Sequence, residues 1–143
     1  MNTKQVTIEQ LNKIGEGRFP GYLGIEITRV GDGEIAARMD VKPHHLAPNG
    51  FLHAGSVVTL ADTACGYACR VNLPEGADNF TTIELTSNHL GTARDGAIEV
   101  VAKAAHMGRT TQVWDAVVTN AANGKTIAIF RCTQMVLYPK QTS

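Results

Sequence analysis

The chain has 143 residues and a mass of 15.3 kDa, and its 43% hydrophobic content predicts a single domain over residues 1–143 with one ordinary core. Thirteen basic and thirteen acidic residues give a net charge of zero, which argues against a nucleic-acid partner because such proteins need a basic face. The low charged fraction, 18%, favours a homo-oligomer in which another subunit covers apolar surface.

The sequence also indicates the cellular compartment of the protein. No apolar run is long enough to span a membrane, and no basic stretch followed by an apolar segment opens the chain, so we expect a cytoplasmic protein without a membrane partner. Three cysteines are present, Cys65, Cys69 and Cys132, and an odd number fits a reduced protein. Cys65 and Cys69 are four residues apart, and we interpret them as core residues rather than zinc ligands.

The first half of the chain predicts two helices and one hairpin. The first helix is short and amphipathic, over residues 7–14, with Thr7 and Gln10 spaced as a capping box. The two strands of the hairpin and the loop after them cover residues 24–30, 33–41 and 43–50. An apolar segment rich in alanine then predicts the one long helix, from residue 54 to about residue 71.

Only strand patterns follow the long helix, at residues 79–89, 97–105, 109–120 and 125–138. Their order predicts a meander of at least four strands. An antiparallel sheet must cover its apolar face, and the long helix is the only candidate to do so. The sequence therefore predicts an α+β architecture in which an antiparallel sheet of about five or six strands wraps around one central helix.

Two features at the long helix suggest chemistry on a carbonyl compound. The loop from residue 49 leads directly into the helix, so unpaired backbone N–H groups are expected at its positive end, those of Ala54, Gly55 and Ser56. Asp62 lies eight residues after Ala54 in an apolar stretch, where burial would raise its pKa. The pattern alone also allows Asp62 to belong to a polar stripe that faces solvent.

At these residues the chain resembles the hot-dog fold acyl-CoA thioesterases, and among them the phenylacetate-degradation type related to 4-hydroxybenzoyl-CoA thioesterase. The family signature is Gly-x-x-His-Gly-Gly followed by an acid in a Leu-(Ala/Val)-Asp context. It stands here as Gly50-Phe51-Leu52-His53-Ala54-Gly55 and Leu60-Ala61-Asp62. A later Gly-Arg pair between two strands appears as Gly108-Arg109, so the resemblance covers nearly the whole chain.

The resemblance implies roles for five of these positions. Asp62 would be the catalytic carboxylate, either as general base on water or as nucleophile on the thioester. The Ala54 N–H, with Gly55 beside it, would bind the thioester oxygen, because only a backbone donor is required there. His53 would shape the loop or contact the oxygen, and Thr82 would orient the water.

Two further positions have weaker matches. The family's Asn or Gln commonly lies six residues before the histidine, where this chain has Ala47, whereas Asn49 lies four residues before it. Asn49 is the candidate contact to the substrate carbonyl, and an ordinary Asn-Gly turn is the alternative. Arg109, with Gly108, is the candidate contact for coenzyme A phosphates, and a solvated arginine at a strand end is the alternative.

The implied function is hydrolysis of an acyl-CoA thioester without a metal or an organic cofactor. The alternatives are a non-catalytic acyl-CoA binding protein, which has no use for Asp62, and a hot-dog dehydratase, which the spacing of His53 and Asp62 suits poorly. A homodimer, or a dimer of dimers, with shared active sites is expected. Ala54 and Asp62 lie about 12 Å apart along a helix, too far for both to touch one carbonyl group.

Overall fold

The computed structural model describes residues 6–140, which form one six-stranded antiparallel sheet and three helices. The helices are α1 (Ile8–Gly15), α2 (Phe19–Tyr22) and α3 (Ala54–Val71). The strands are β1 (Ile25–Gly31), β2 (Glu34–Asp40), β3 (Asn79–His89), β4 (Ala97–Met107), β5 (Thr111–Asn120) and β6 (Thr126–Leu137). The α+β hot-dog architecture and its strand number are as predicted. Helix α2 and a 3-10 turn over Pro43–His45 carry too few residues to show a period and were not expected.

The capping box predicted for α1 is present. The Thr7 hydroxyl accepts a hydrogen bond from the Gln10 backbone at 3.1 Å, and the Gln10 side chain accepts one from the Thr7 backbone at 2.9 Å. These two bonds satisfy donors that have no partner within the helix. Leu11 is the buried residue at the centre of this helix, which packs against β1.

The sheet order, β1-β2-β4-β5-β6-β3, corrects the predicted four-strand meander. Strands β4, β5 and β6 do form a meander, but β3 pairs with β6 at the far edge and not with β4. The edge of β4 that β3 would need is occupied by β2. A sequence pattern shows that a strand exists. Which strand pairs with it depends on which strand edges are already occupied.

The core lies between α3 and the sheet, and small side chains let the two approach closely. The buried residues of α3 are Val57, Leu60, Ala61, Ala64, Cys65, Ala68, Cys69 and Val71. They pack mainly against strands β2, β4 and β5. All three cysteines are free and buried, as predicted, and burial raises the pKa of the Cys69 thiol to about 12. No helix among residues 6–140 has the length and apolar character needed to cross a bilayer.

A chain of buried amides closes the C-terminal end of α3. The Trp114 indole donates to the Gln112 side chain, which in turn donates to the Asn72 carbonyl, each at 2.8 Å. The Asn72 side chain donates to the Ala68 carbonyl at 2.8 Å. These bonds satisfy groups that a helix end leaves unpaired, and the three side chains that make them are buried. They attach α3 firmly to β5.

Strand β3 is the exposed edge of the sheet. It runs for 11 residues, pairs only with β6 among the described strands, and keeps nearly all its side chains partly or fully exposed. Ile83 and Leu85 are 52% and 41% exposed. A long unpaired edge with apolar side chains is a surface that proteins normally cover.

Candidate active site

The loop before α3 is a small hairpin with its two ends tied together. The His53 backbone donates to the His45 carbonyl at 2.9 Å, and Leu46 and Leu52 form an isolated β-bridge. The tip turns through Gly50, whose φ of +86° favours glycine. The loop therefore fixes the direction in which the backbone enters α3.

His53 caps α3 with its own ring. Its Nδ1 accepts a hydrogen bond from the Gly55 backbone at 2.7 Å, so Nδ1 carries no proton and Nε2 is the donor of the neutral ring. A Cβ on Gly55 would lie 2.9 Å from this Nδ1, which explains why glycine occupies the position. His53 itself is exposed, so its Nε2–H is available to a ligand.

This cap changes the expected set of unpaired amides. The Gly55 N–H is bonded to the His53 ring, and the Ser56 N–H donates to the His53 carbonyl at 2.9 Å. Among residues 6–140, no acceptor takes the N–H of Ala54, which begins the helix and is exposed. The prediction of three unpaired donors is wrong for two of them. One donor, Ala54, remains at the positive end of α3.

Asp62 is a half-buried carboxylate in the middle of α3. Its Oδ1 is buried and finds no hydrogen-bond partner in the described part of the chain. Burial raises the pKa of this carboxyl above its ordinary value, because the charged form loses hydration without a compensating donor. Asp62 does not belong to a polar stripe that faces solvent. In such a stripe solvent would reach both carboxylate oxygens, whereas Oδ1 of Asp62 is buried.

The face of α3 that carries Asp62 lies toward the exposed edge of the sheet. Gly66 is one turn further along and shares that face. A Cβ on Gly66 would lie 3.5 Å from the ring of Phe80, on edge strand β3. Asp62 is also eight residues from Ala54, about 12 Å along the helix axis, so one chain does not bring the acid and the free amide together.

Two other polar candidates, Asn49 and Thr82, lie on the loop before α3 and on strand β3. The Asn49 side-chain oxygen accepts from the Phe51 backbone at 3.1 Å, which leaves its amide group as a possible donor. The exposed Thr82 of β3 donates its hydroxyl to Gln134 at 2.7 Å. The Thr82 oxygen can therefore only accept a hydrogen bond from a further molecule.

Gly108 and Arg109 border a separate cavity of about 330 Å³ at the C-terminal end of α3. Gly108 allows a tight turn, because a Cβ there would lie 2.7 Å from the His106 ring. The Arg109 guanidinium lies 5.4 Å from the centre of the Tyr138 ring. The cavity also touches Asn72, ten residues past Asp62, or about 15 Å along the helix axis.

Two buried polar residues that contact the candidate residues were not predicted. Gln134 accepts a hydrogen bond from the Thr82 hydroxyl, and the His45 carbonyl accepts one from the His53 backbone and one from the Ser56 hydroxyl. Gln134 occupies an inward position of β6, where strand alternation predicts an apolar side chain. No sequence pattern marked His45, which lies in a turn beside the polar residues Lys42 and His44.

Similarity to known proteins identifies the family of this chain. The sequence profile of the thioesterase superfamily matches residues 49–127. The 1,4-dihydroxy-2-naphthoyl-CoA hydrolase of Escherichia coli is 36% identical over 114 residues, which cover 78% of this chain and 81% of that protein.

Solved structures agree with the profile. A thioesterase from Haemophilus influenzae has a TM-score of 0.89 and 32% identity, covering 95% of this chain and 94% of its own. The PaaI protein of the Escherichia coli phenylacetic acid degradation operon has a TM-score of 0.76 and 28% identity, with 86% of each chain covered. The chain belongs to the thioesterase superfamily, whose hot-dog fold it shares.

Proposed function

We propose that this protein hydrolyses acyl-CoA thioesters with Asp62 as its catalytic carboxylate. The observation that carries the proposal is the buried Asp62 oxygen without a hydrogen-bond partner, on the same helix as the unpaired Ala54 amide. A carboxylate with a raised pKa and an N–H at a positive helix end are the base and the oxyanion donor that attack on a carbonyl needs. The reaction requires neither a metal nor an organic cofactor.

The chemistry can be written with these groups alone. Asp62 accepts a proton from water as the water oxygen attacks the thioester carbon, and Ala54 donates to the oxygen that becomes negative. The carbon–sulfur bond then breaks, and coenzyme A leaves as a thiol after taking a proton from Asp62. In this proposal His53 Nε2 and the Asn49 amide group are further donors to this oxygen, and the Thr82 hydroxyl oxygen accepts a hydrogen bond from the attacking water. Direct attack by Asp62 would form an anhydride that water then cleaves.

Each active site is completed by a second copy of the chain. The Asp62 face of α3 lies toward the open edge of β3, and Ile83 and Leu85 on that strand are exposed. Pairing of two β3 edges about a twofold axis would cover these side chains and set the two α3 helices antiparallel. Asp62 of one protomer would then face Ala54 of the other, twice. Family resemblance extends this homodimer to a dimer of dimers.

The coenzyme A end of the substrate fits the cavity beside Gly108 and Arg109. The guanidinium of Arg109 is suited to bidentate contact with a phosphate. The distance from Asp62, about 15 Å along the helix, leaves room for the pantetheine arm between the phosphates and the thioester. We place this reaction in the cytoplasm.

We further propose an aromatic acyl group, because the relative from Escherichia coli is named for a naphthoyl thioester. Hydrolysis of a panel of aryl, short, medium and long acyl-CoA thioesters tests this choice. A phenylacetate-type substrate is one member of the aryl set. A non-catalytic acyl-CoA binding protein would bind the panel without turnover, and a dehydratase would release water from a hydroxyacyl thioester instead.

The first prediction concerns Asp62→Asn, which keeps the shape of the side chain and removes the base. We expect kcat to fall by ~10² or more, as for loss of a general base. Stability at neutral pH should not fall, because the substitution removes a buried charge that has no partner. Steady-state kinetics and urea unfolding measure both effects. Asp78→Asn, at an exposed aspartate, is the matched control and should behave as wild type.

The second prediction is an acid limb in the pH profile of kcat/KM. Burial raises the pKa of Asp62, and only its carboxylate form can accept a proton, so activity should fall as the pH drops through that raised value. We expect the fall at a higher pH than an ordinary aspartate would give, within an assay range of about pH 4 to pH 8. Initial rates across this range, corrected for unfolding, measure it. A flat profile would contradict the assigned role.

The third prediction concerns mixed subunits. Ala54→Pro removes the unpaired donor with little harm to the helix, because proline is tolerated at the first helical position. His53 has φ and ψ of -67° and 133°, an extended conformation that suits a residue before proline. Mixing Asp62→Asn chains with Ala54→Pro chains creates dimers with one complete site.

We expect such a mixture to regain about a quarter of wild-type activity, since half of the random dimers are mixed and each has one intact site of two. Activity assays after subunit exchange, followed with differently tagged chains, test this. Each variant exchanged with itself is the control and should stay inactive. Exchange without recovery would show that the acid and the amide come from the same chain.

A further inference from the structure

His45 is a completely buried histidine whose side chain and backbone are both fully engaged beside the loop that leads into α3. Its Nδ1 accepts a hydrogen bond from the Lys42 backbone at 3.0 Å, and its Nε2 donates to the Leu23 carbonyl at 2.9 Å. The ring therefore joins the chain before β1 to the turn after β2. Because Nδ1 is an acceptor, these two bonds define one neutral tautomer.

The backbone of the same residue holds the start of α3. The His45 carbonyl accepts from the His53 backbone at 2.9 Å and from the Ser56 hydroxyl at 2.9 Å. His53 is the cap of α3, and the next residue is Ala54, which carries the unpaired amide. The position of that amide thus depends on the His45 carbonyl, and the His45 carbonyl is held in place by its imidazole.

We propose that His45 is a positioning residue for the Ala54 amide, that only its neutral ring performs this role, and that its protonation loosens the loop over residues 46–53. This inference rests on the proposed function, because it gives the Ala54 amide a catalytic purpose. His45 does not touch substrate in this account. It acts through the backbone of His53.

Protonation would break the arrangement for a simple reason. A proton on Nδ1 would face the Lys42 N–H, so a donor would oppose a donor and the bond would be lost. The surroundings oppose the charged ring as well. Burial is the main cause that lowers the pKa of His45, and the nearby His44 and Lys42 add to it, whereas the bond to the Leu23 carbonyl acts in the opposite direction.

The nearest carboxylates do not offset the lowered pKa of His45. Glu26 and Asp40 line an adjoining cavity with His44 and Lys42, and no hydrogen bond or ion pair joins either carboxylate to His45 in the described residues. From α3, the groups that meet His45 are the His53 backbone and the neutral Ser56 hydroxyl. A lowered pKa means that the bonds of the neutral ring stabilise the fold fully above the ordinary histidine range. That stability is lost as the pH falls through the lowered value.

The decisive variants are His45→Leu, which removes both ring bonds, and His45→Gln, whose amide can donate and accept at similar positions without titrating. His44→Gln, at the exposed neighbour, is the matched control. At pH 7.5 we expect His45→Leu to lose ~10-fold in kcat, as for a small misplacement of a reacting group, with KM changed less than about twofold. Hydrogen exchange of amides 46–57 should rise ~10-fold, with β5 unchanged. His45→Gln and His44→Gln should stay within about twofold of wild type in kcat.

A second measurement uses chains that do not lose the ring bonds at neutral pH. Exchange of amides 46–57, corrected for intrinsic rates, should accelerate in wild type and in His44→Gln as the pH falls below the ordinary histidine range, but not in His45→Gln. This comparison tests the proposal even if His45→Leu does not fold.

Three results would overturn the proposal. They are a folded His45→Leu protein with wild-type kcat, faster loop exchange in that variant without loss of kcat, and the same acid response in His45→Gln as in wild type. Failure of the proposed function looks different. In that case Asp62→Asn would turn over normally, whatever the His45 variants do.

Discussion

A single carboxylate without a hydrogen-bond partner is the constraint on which the arrangement of this protein depends. Asp62 sits half-buried on the central helix with a buried oxygen that no donor satisfies in residues 6–140. Such a group costs stability, and a fold retains it when another molecule supplies the missing contact. In the proposed dimer the substrate water and the partner subunit supply this contact, because the face of Asp62 lies toward the open edge of the sheet.

The second half of the chemistry depends on how the helix begins. His53 turns its ring back onto Gly55, and the hairpin loop closes on the His45 carbonyl, so that of the first three backbone amides of α3 only that of Ala54 is unpaired within residues 6–140. The Ala54 donor is exposed at the positive end of a long helix, where a developing negative charge is stabilised. In the proposed reaction this unpaired backbone amide binds the thioester oxygen.

Much of the architecture could be predicted from the sequence, because hydrophobic periods of two and of 3.6 residues mark strands and helices directly. The position of β3 could not, since it depends on which strand occupies the edge of β4. At the site, the pattern located Asp62 and Ala54 but not the pairing of the Gly55 and Ser56 amides. The pairing of Gly55 depends on the side-chain rotamer of His53, and that of Ser56 on the backbone carbonyl of the same residue. The roles of the buried polar residues His45 and Gln134 were not predicted either. Their partners Leu23 and Thr82 are distant in sequence.

The most direct test of this account is a crystal structure of the Asp62→Asn protein with an uncleaved aryl-CoA thioester. We expect the thioester oxygen to lie about 3 Å from the Ala54 nitrogen of one protomer, within ordinary hydrogen-bond distance. The residue at position 62 that approaches the thioester carbon should belong to the other protomer. A thioester bound far from either group, or one held by Ala54 and position 62 of the same chain, would contradict it.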